Sequence, residues 1–131
     1  MKLITRNTDY AIRALVYLAK NPGKIVAVPE LISKTAIPRP FIRSIMQALG
    51  KKGFVASFKG KGGGFLLKLN PEKISIVDVM EVFQGRFNIN ECTFKKHKCP
   101  HIYVCKLRKK LCVIDKVVGS KLSVISINSI K

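Results

Sequence analysis

Phe54-Val55-Ala56-Ser57-Phe58-Lys59-Gly60-Lys61-Gly62-Gly63-Gly64-Phe65-Leu66-Leu67-Lys68-Leu69 is two short apolar runs around a basic, glycine-rich tract. Aromatic residues bracket the first run. In the second, Phe65, Leu67 and Leu69 alternate with the period of a strand that buries one side. Glycines have no Cβ, so the tract from Lys59 to Gly64 can turn tightly and lie close to another backbone. The stretch therefore reads as a β-hairpin whose tip can approach a phosphate chain. Its loop lacks the Gly-Lys-Ser/Thr ending of a nucleotide-binding P-loop, which removes that reading.

Three helical segments precede the hairpin. Between Thr8 and Lys20, Ala11, Ala14, Leu15 and Leu18 fall at i, i+3, i+4 and i+7, which predicts a helix with one buried face. Asn7 or Thr8 is the expected cap, and Asn21-Pro22-Gly23 the end. Asp9 then stands in the first turn, where the helix dipole favours an acid, four residues before Arg13. Pro29 suits the first position of a second, short helix through Leu31 and Ile32 to Lys34 or Thr35. Thr35, Ala36 and Ile37 make a tight connection. Pro38 and Pro40 bar a helix from running through but suit the first turn of a new one. A third helix is thus expected from Arg39 or Pro40 to Lys51 or Lys52, with Phe41, Ile45, Ala48 and Leu49 as its apolar face. On another face, at steps of four, stand Arg39, Arg43 and Gln47. These are long arms of the kind that read base edges, arginine at guanine and glutamine at adenine.

Three helices and a two-stranded wing outline a winged helix-turn-helix, a mainly α fold with a small β-hairpin. In that geometry the third helix enters the major groove and the preceding one braces it. Arg39, Arg43 and Gln47 are then candidate base or phosphate contacts, and Lys59 and Lys61 candidates for the minor groove or its phosphates. The bland alternative is a solvated polar face.

Charge favours the first reading. The chain of 131 residues carries 25 basic and 7 acidic residues, a net +18. Residues 1–70 hold 13 basic and 2 acidic residues, 71–91 hold 2 and 4, and 92–131 hold 10 and 1. A basic front, a slightly acidic joint and a basic tail suit a polyanion, most simply duplex DNA or RNA, although a ribosome-like or merely soluble cationic surface would share that balance. With 47% hydrophobic residues the chain has the apolar content for a core, which argues against a disordered basic tail. No apolar run approaches the roughly 20 residues needed to span a bilayer, and Arg13 and Lys20 interrupt the amino-terminal one, so a cytoplasmic protein is expected. No serine, histidine and acid set suggests an enzyme.

Downstream, Ser75 is a plausible cap with Asp78 three residues later, opening a helix through Ile76, Val79, Met80 and Phe83 that ends at Gly85. Residues 86–104 read as irregular. From Cys105 onward, Leu107, Leu111, Ile114, Val118, Leu122 and Ile125 recur every three or four residues. That pattern predicts one long terminal helix, with little of its own monomer left to pack on and therefore suited to pairing with a second copy. The chain divides into a DNA-binding domain (1–85), a cysteine-bearing loop (86–104) and a dimerisation helix (105–131).

Cys92, Cys99, Cys105 and Cys112 are separated by six, five and six residues. In a reducing compartment they should be thiols or metal ligands rather than disulfides. Structural zinc draws on cysteine pairs two to four residues apart, and none exists here. Spaced thiolates in a basic segment fit an iron–sulphur cluster better, with Lys95, Lys96, Lys98 and Lys106 favouring the thiolate form. Metal-free thiol sensing remains a further reading. Cys112 can equally be a core residue beside Leu111 and Ile114. His97 or His101 can replace a thiolate.

Thr8-Asp9-Tyr10-Ala11, the helix-turn-helix up to Gly53-Phe54-Val55, and the Lys59 to Phe65 wing followed by a cysteine triad resemble the small regulators of the IscR and NsrR kind over nearly the whole chain. The resemblance implies a homodimeric winged-helix transcription factor acting on an inverted-repeat operator in double-stranded DNA, with one iron–sulphur cluster, [2Fe-2S] or [4Fe-4S], in each subunit. It implies Cys92, Cys99 and Cys105 as ligands. Asp9 matches the position from which, in the NsrR branch, the other subunit completes the site; its competing role is pairing with Arg13, and Cys112 or a histidine could take the fourth place instead. The competing function is a metal-free or zinc-stabilised DNA-binding repressor with thiol-based sensing or none.

Overall fold

Ala11, Ala14, Leu15 and Leu18 are all buried to within 1% of complete, so the expected periodicity is the one the fold uses. They lie on α1 (Arg6–Lys20), which packs against α2 (Val28–Thr35) and α3 (Arg39–Lys51) in a computed structural model that describes residues 2–89 and 99–131. The hairpin β1 (Val55–Phe58) and β2 (Gly64–Leu67) follows, antiparallel, with Val55 opposite Leu67 and Phe58 opposite Gly64. A 3-10 turn (Pro71–Lys73) leads to α4 (Ile76–Gln84), and the chain ends with α5 (Lys106–Ser123) and α6 (Ile127–Ile130). The order is that of a mainly α winged helix-turn-helix.

Thr5, not Asn7 or Thr8, caps α1, and its side chain makes no capping bond. The neighbouring element does that work. Gln84 of α4 accepts the Thr5 N–H (3.0 Å) and the buried Thr8 hydroxyl (2.7 Å), while its amide nitrogen donates to the Leu3 carbonyl (3.1 Å). Within α4 itself the predicted Ser75 and Asp78 capping box is present.

Between α2 and α3 the chain turns at Ala36, which adopts a left-handed conformation (φ 56°) and donates its N–H to the Ile32 carbonyl. Ile37 then enters the core and Pro38 sets the extended entry to α3. The buried face of α3 is Ile42, Ile45, Met46 and Leu49, rotated from the expected one, with Phe41 and Ala48 half-buried at its edge. Two overlapping apolar stripes exist on this helix, and packing on α1 and α4 selects between them.

The wing is anchored by a bridge that the sequence pattern does not reveal. Val26, before α2, exchanges two 2.8 Å hydrogen bonds with Phe65.

The terminal helix is shorter than predicted. α5 stops at Ser123, and the following residues extend beside 74–76. The Ile76 N–H donates to the Ile125 carbonyl and the Ile127 N–H to that of Ile74, both at 2.9 Å. Ser126 then opens α6 with its own capping box, and Ile127 is completely buried in the core around α1. A helix carried on past Ser123 would forfeit that burial. α5 itself has no fully buried residue; Leu111, Val118 and Leu122 are half-buried, whereas Leu107, Val113, Ile114 and Val117 are at least half exposed. Its inner side is held where Asp115 accepts the Ile89 N–H (2.9 Å) and Gly119 leaves room for the Phe87 ring.

Candidate nucleic-acid interface and cysteine segment

Packing the Ile42, Ile45, Met46 and Leu49 face inward turns the opposite side of α3 to solvent, and there Arg39, Arg43 and Gln47 are all exposed. The first turn of α3 leans on the first turns of α1. The Phe41 ring meets Tyr10 at 5.6 Å between centroids, the Arg6 guanidinium lies 4.6 Å over Phe41, and that of Arg13 lies 5.9 Å over Tyr10. Asp9 forms an ion pair with Arg13 at 2.8 Å, the four-residue partnership expected of it. Arg6 was not singled out by the sequence pattern, because a lone arginine before an amphipathic helix carries no periodic signal.

Lys59 and Lys61 are exposed on the wing tip. The glycines there do more than permit approach to a ligand. Gly60 and Gly62 hold positive φ (87° and 77°) and shape the turn. Gly63 and Gly64 pass close to other backbone: a Cβ on Gly64 would stand 2.6 Å from the Val26 carbonyl carbon, 2.9 Å from the Ala27 Cα and nearer still to the Val26 oxygen.

The ion pairs found among the described residues are Asp9–Arg13 and Lys24–Glu30, so Arg39, Arg43, Lys59 and Lys61 keep their positive charge unneutralised there. At the second pair, Lys24 (2.7 Å) and the Tyr17 hydroxyl (2.6 Å) both donate to the Glu30 carboxylate. The Lys24 hydrogen bond, then that of Tyr17, holds Glu30 below the ordinary carboxylate range, and the same contacts with Glu30 raise Tyr17 and Lys24 above theirs. This cluster joins α1 to α2.

Cys99 and Cys105 are half-buried free thiols at either end of a run of turns, and Cys112 is exposed on α5, not in a core. Cys105 is the N-cap of α5: its Sγ accepts the Arg108 N–H at 3.4 Å, while the Arg108 guanidinium donates to the Ile102 carbonyl at 3.0 Å. Cys92, His97, Lys95, Lys96 and Lys98 lie outside the described residues. Among the described residues no three cysteine, histidine or acidic side chains are gathered as a metal would require, and Asp9 is engaged by Arg13. No described helix is long and apolar enough to cross a membrane.

A solvent-facing arginine and glutamine stripe on the second helix of a helix-turn-helix, beside a wing tipped with lysines, defines a winged-helix DNA-binding protein. The resemblance to known regulators runs nearly the length of the chain. The family model described as Rrf2, iron-dependent transcriptional regulator, matches residues 4–131. The chain is 34% identical over 122 residues to the HTH-type transcriptional regulator NsrR of Bacillus subtilis, covering 92% of this chain and 75% of that protein. It is 43% identical over 90 residues to a protein of Aquifex aeolicus described as an HTH-type transcriptional regulator, covering 69% of this chain and 62% of that one. The chain therefore spans about three-fifths of that relative's length. Its fold matches CymR, the global cysteine regulator of B. subtilis, with a TM-score of 0.79 at 20% identity over 99% of this chain and 96% of that one. It also matches T. potens IscR, with a TM-score of 0.68 at 21% identity over 99% and 85%. The chain belongs to the Rrf2 family of transcriptional regulators. These relatives are named as regulators rather than enzymes, in line with the missing catalytic set.

Proposed function

We propose that the protein is a cytoplasmic homodimer that binds an inverted-repeat operator and carries an iron–sulphur cluster, [2Fe-2S] or [4Fe-4S], whose state sets operator affinity. The observation that carries the DNA half is the outward stripe of Arg39, Arg43 and Gln47, unpaired with any described acid and flanked by Lys59 and Lys61 on the wing. Arg43 and Gln47 read bases; Arg39 and the wing lysines hold phosphates. The half-exposed apolar side of α5 supports pairing with a second copy, because exposed leucine, valine and isoleucine on one helix gain most by covering each other. An isologous pair sets two α3 helices at a fixed spacing, which must match one turn of duplex, about 34 Å.

The cluster half assigns Cys92, Cys99 and Cys105 as thiolate ligands, with Asp9 of the other subunit as the fourth. The donor chemistry fits: Cys99 and Cys105 are unbridged, half-buried thiols, and cysteine sulphur is the donor such clusters take. Asp9 must leave Arg13 to serve. When bound, the cluster supplies iron that reacts with an oxidant or nitric oxide. Residues 86–89, held on α5 by Phe87 and Asp115, lead straight into the cysteine segment, so rearrangement of that segment bears directly on the dimer helix. A second reading, metal-free thiol sensing, is favoured by the exposure of Cys112 and by the fold shared with a global cysteine regulator.

The test is anaerobic purification with visible spectra and assays of iron, sulphide and zinc for the parent and for alanine variants of each cysteine. Loss of a brown species in the Cys92, Cys99 and Cys105 variants but not in Cys112→Ala is expected. Colourless protein with zinc, or operator affinity indifferent to iron but sensitive to thiol oxidants, selects the competing readings. Arg43→Ala should relax base preference; equal loss on operator and random duplexes would make Arg43 a phosphate contact instead.

A further inference from the structure

We propose that Arg6 clamps a phosphate of the duplex backbone beside α3, with the Phe41 ring as its platform. The inference rests on the operator-binding reading and extends the contact surface from α3 and the wing to the start of α1.

Arg6 is the first residue of α1, and it is exposed. Its guanidinium sits 4.6 Å over the ring of Phe41, the third residue of α3, which lies between Arg39 and Arg43 in the chain. The Tyr10 ring at 5.6 Å backs Phe41 from α1. A guanidinium stacked on a ring is covered on one face while its N–H groups point outward in the plane, so stacking orients the fork without using up its donors. The Arg6 side chain makes no hydrogen bond and no ion pair among the described residues. Arg13, three positions after Tyr10 on the same helix, is by contrast neutralised by Asp9 at 2.8 Å. Two arginines thus flank Tyr10 on α1: in this structure Arg13 is paired with Asp9, and Arg6 is held in place with its N–H donors unused at the head of α3.

The chemistry that completes such a site is an anion with two oxygens in a plane, and next to a helix laid in a major groove that anion is a backbone phosphate. Because a guanidinium fixed by Phe41 has already lost much of its rotamer freedom, it gives up less on binding than a free surface lysine does. Phe41 is a positioning residue here and does not itself touch DNA.

Binding of the full-length protein to a selected operator and to a random duplex of equal length, measured across a range of salt concentrations, tests this. Parent, Arg6→Ala, Arg6→Gln, Arg6→Lys and Phe41→Leu proteins are compared, each with its thermal melt. Removing the charge should flatten the slope of log K against log salt by about 0.9 for each subunit engaged. Affinity should fall by a similar factor on both duplexes. Arg6→Gln gives the same result while keeping a polar, uncharged arm, should Arg6→Ala fold poorly. Arg6→Lys and Phe41→Leu should keep most of the slope and lose affinity, since charge survives and orientation does not. An unchanged slope in Arg6→Ala and Arg6→Gln, with only the melting temperature moved, would overturn the proposal and leave a purely structural stack. Loss confined to the operator would overturn it too, by making Arg6 a base reader. If the parent itself binds neither duplex, the operator reading fails and this inference fails with it.

Discussion

Replacing Gly64 by alanine puts a methyl group where the backbone of residues 26 and 27 already lies. The added Cβ would be 2.6 Å from the Val26 carbonyl carbon and 2.9 Å from the Ala27 Cα, and both neighbours are main chain that cannot rotate aside. The strand must therefore move off, breaking the two 2.8 Å hydrogen bonds between Val26 and Phe65. Each is worth about 0.5–1.5 kcal/mol net, and Val26 is completely buried, so the loss comes to about 2–4 kcal/mol with disturbed packing included. With a urea slope of about 2 kcal/mol per molar, the unfolding midpoint falls by about 1–2 M. Gly50, in the last turns of α3, supplies the control: a Cβ there meets nothing nearer than the Val55 oxygen at 3.9 Å, and alanine should gain about 0.5–1 kcal/mol by helix propensity. The assay is urea denaturation of both variants at one fixed protein concentration, since an associating chain makes the midpoint concentration-dependent. Gly64→Ala should also weaken DNA binding and flatten its salt slope, because Lys59 and Lys61 ride on the displaced loop. Equal midpoints for the two variants would mean that residues 26 and 27 do not crowd position 64 and would return Gly64 to an open turn position.

Ile127→Ala removes a completely buried side chain and should cost about 2–5 kcal/mol, whereas Ile125→Ala, 36% exposed, should cost far less; similar urea midpoints for the pair would deny the return of the chain end to the core. Glu30→Gln should lower stability near neutral pH, because a carboxylate with a depressed titration contributes above its unfolded value of about 4.3 and loses that contribution as pH falls through the lower folded one. Melting curves for parent and variant should therefore converge in acid; a constant gap down to pH 3 would count against the Lys24 and Tyr17 contacts. Ile114→Asp on the exposed side of α5 should shift the protein from dimer to monomer in sedimentation or light scattering without unfolding it, and a variant that remains dimeric would place the subunit interface elsewhere.

The local elements are legible in the order of residues along the chain. The α1 stripe, the α3 arms, the two-stranded hairpin and the Ser75–Asp78 box all lie within one or two turns of chain, so hydrophobic pattern, glycine-rich turn and capping chemistry disclose them before any tertiary contact forms. The same holds for the candidate DNA contacts, since a polar stripe opposite an apolar one must face outward once the apolar one is buried. The alternation expected of Phe65, Leu67 and Leu69 is not kept, since Phe65, Leu66 and Leu67 are all half-buried and Leu69 is exposed beyond the strand. Long-range packing, by contrast, sets which of two overlapping stripes α3 buries, where the terminal helix ends, and why Gly64 is a glycine. It also decided that Gln84 of α4 secures the start of α1 and that Phe41 carries Arg6. Each of these joins groups far apart in the chain, across packing surfaces or single hydrogen bonds that leave no repeating pattern in either partner's sequence.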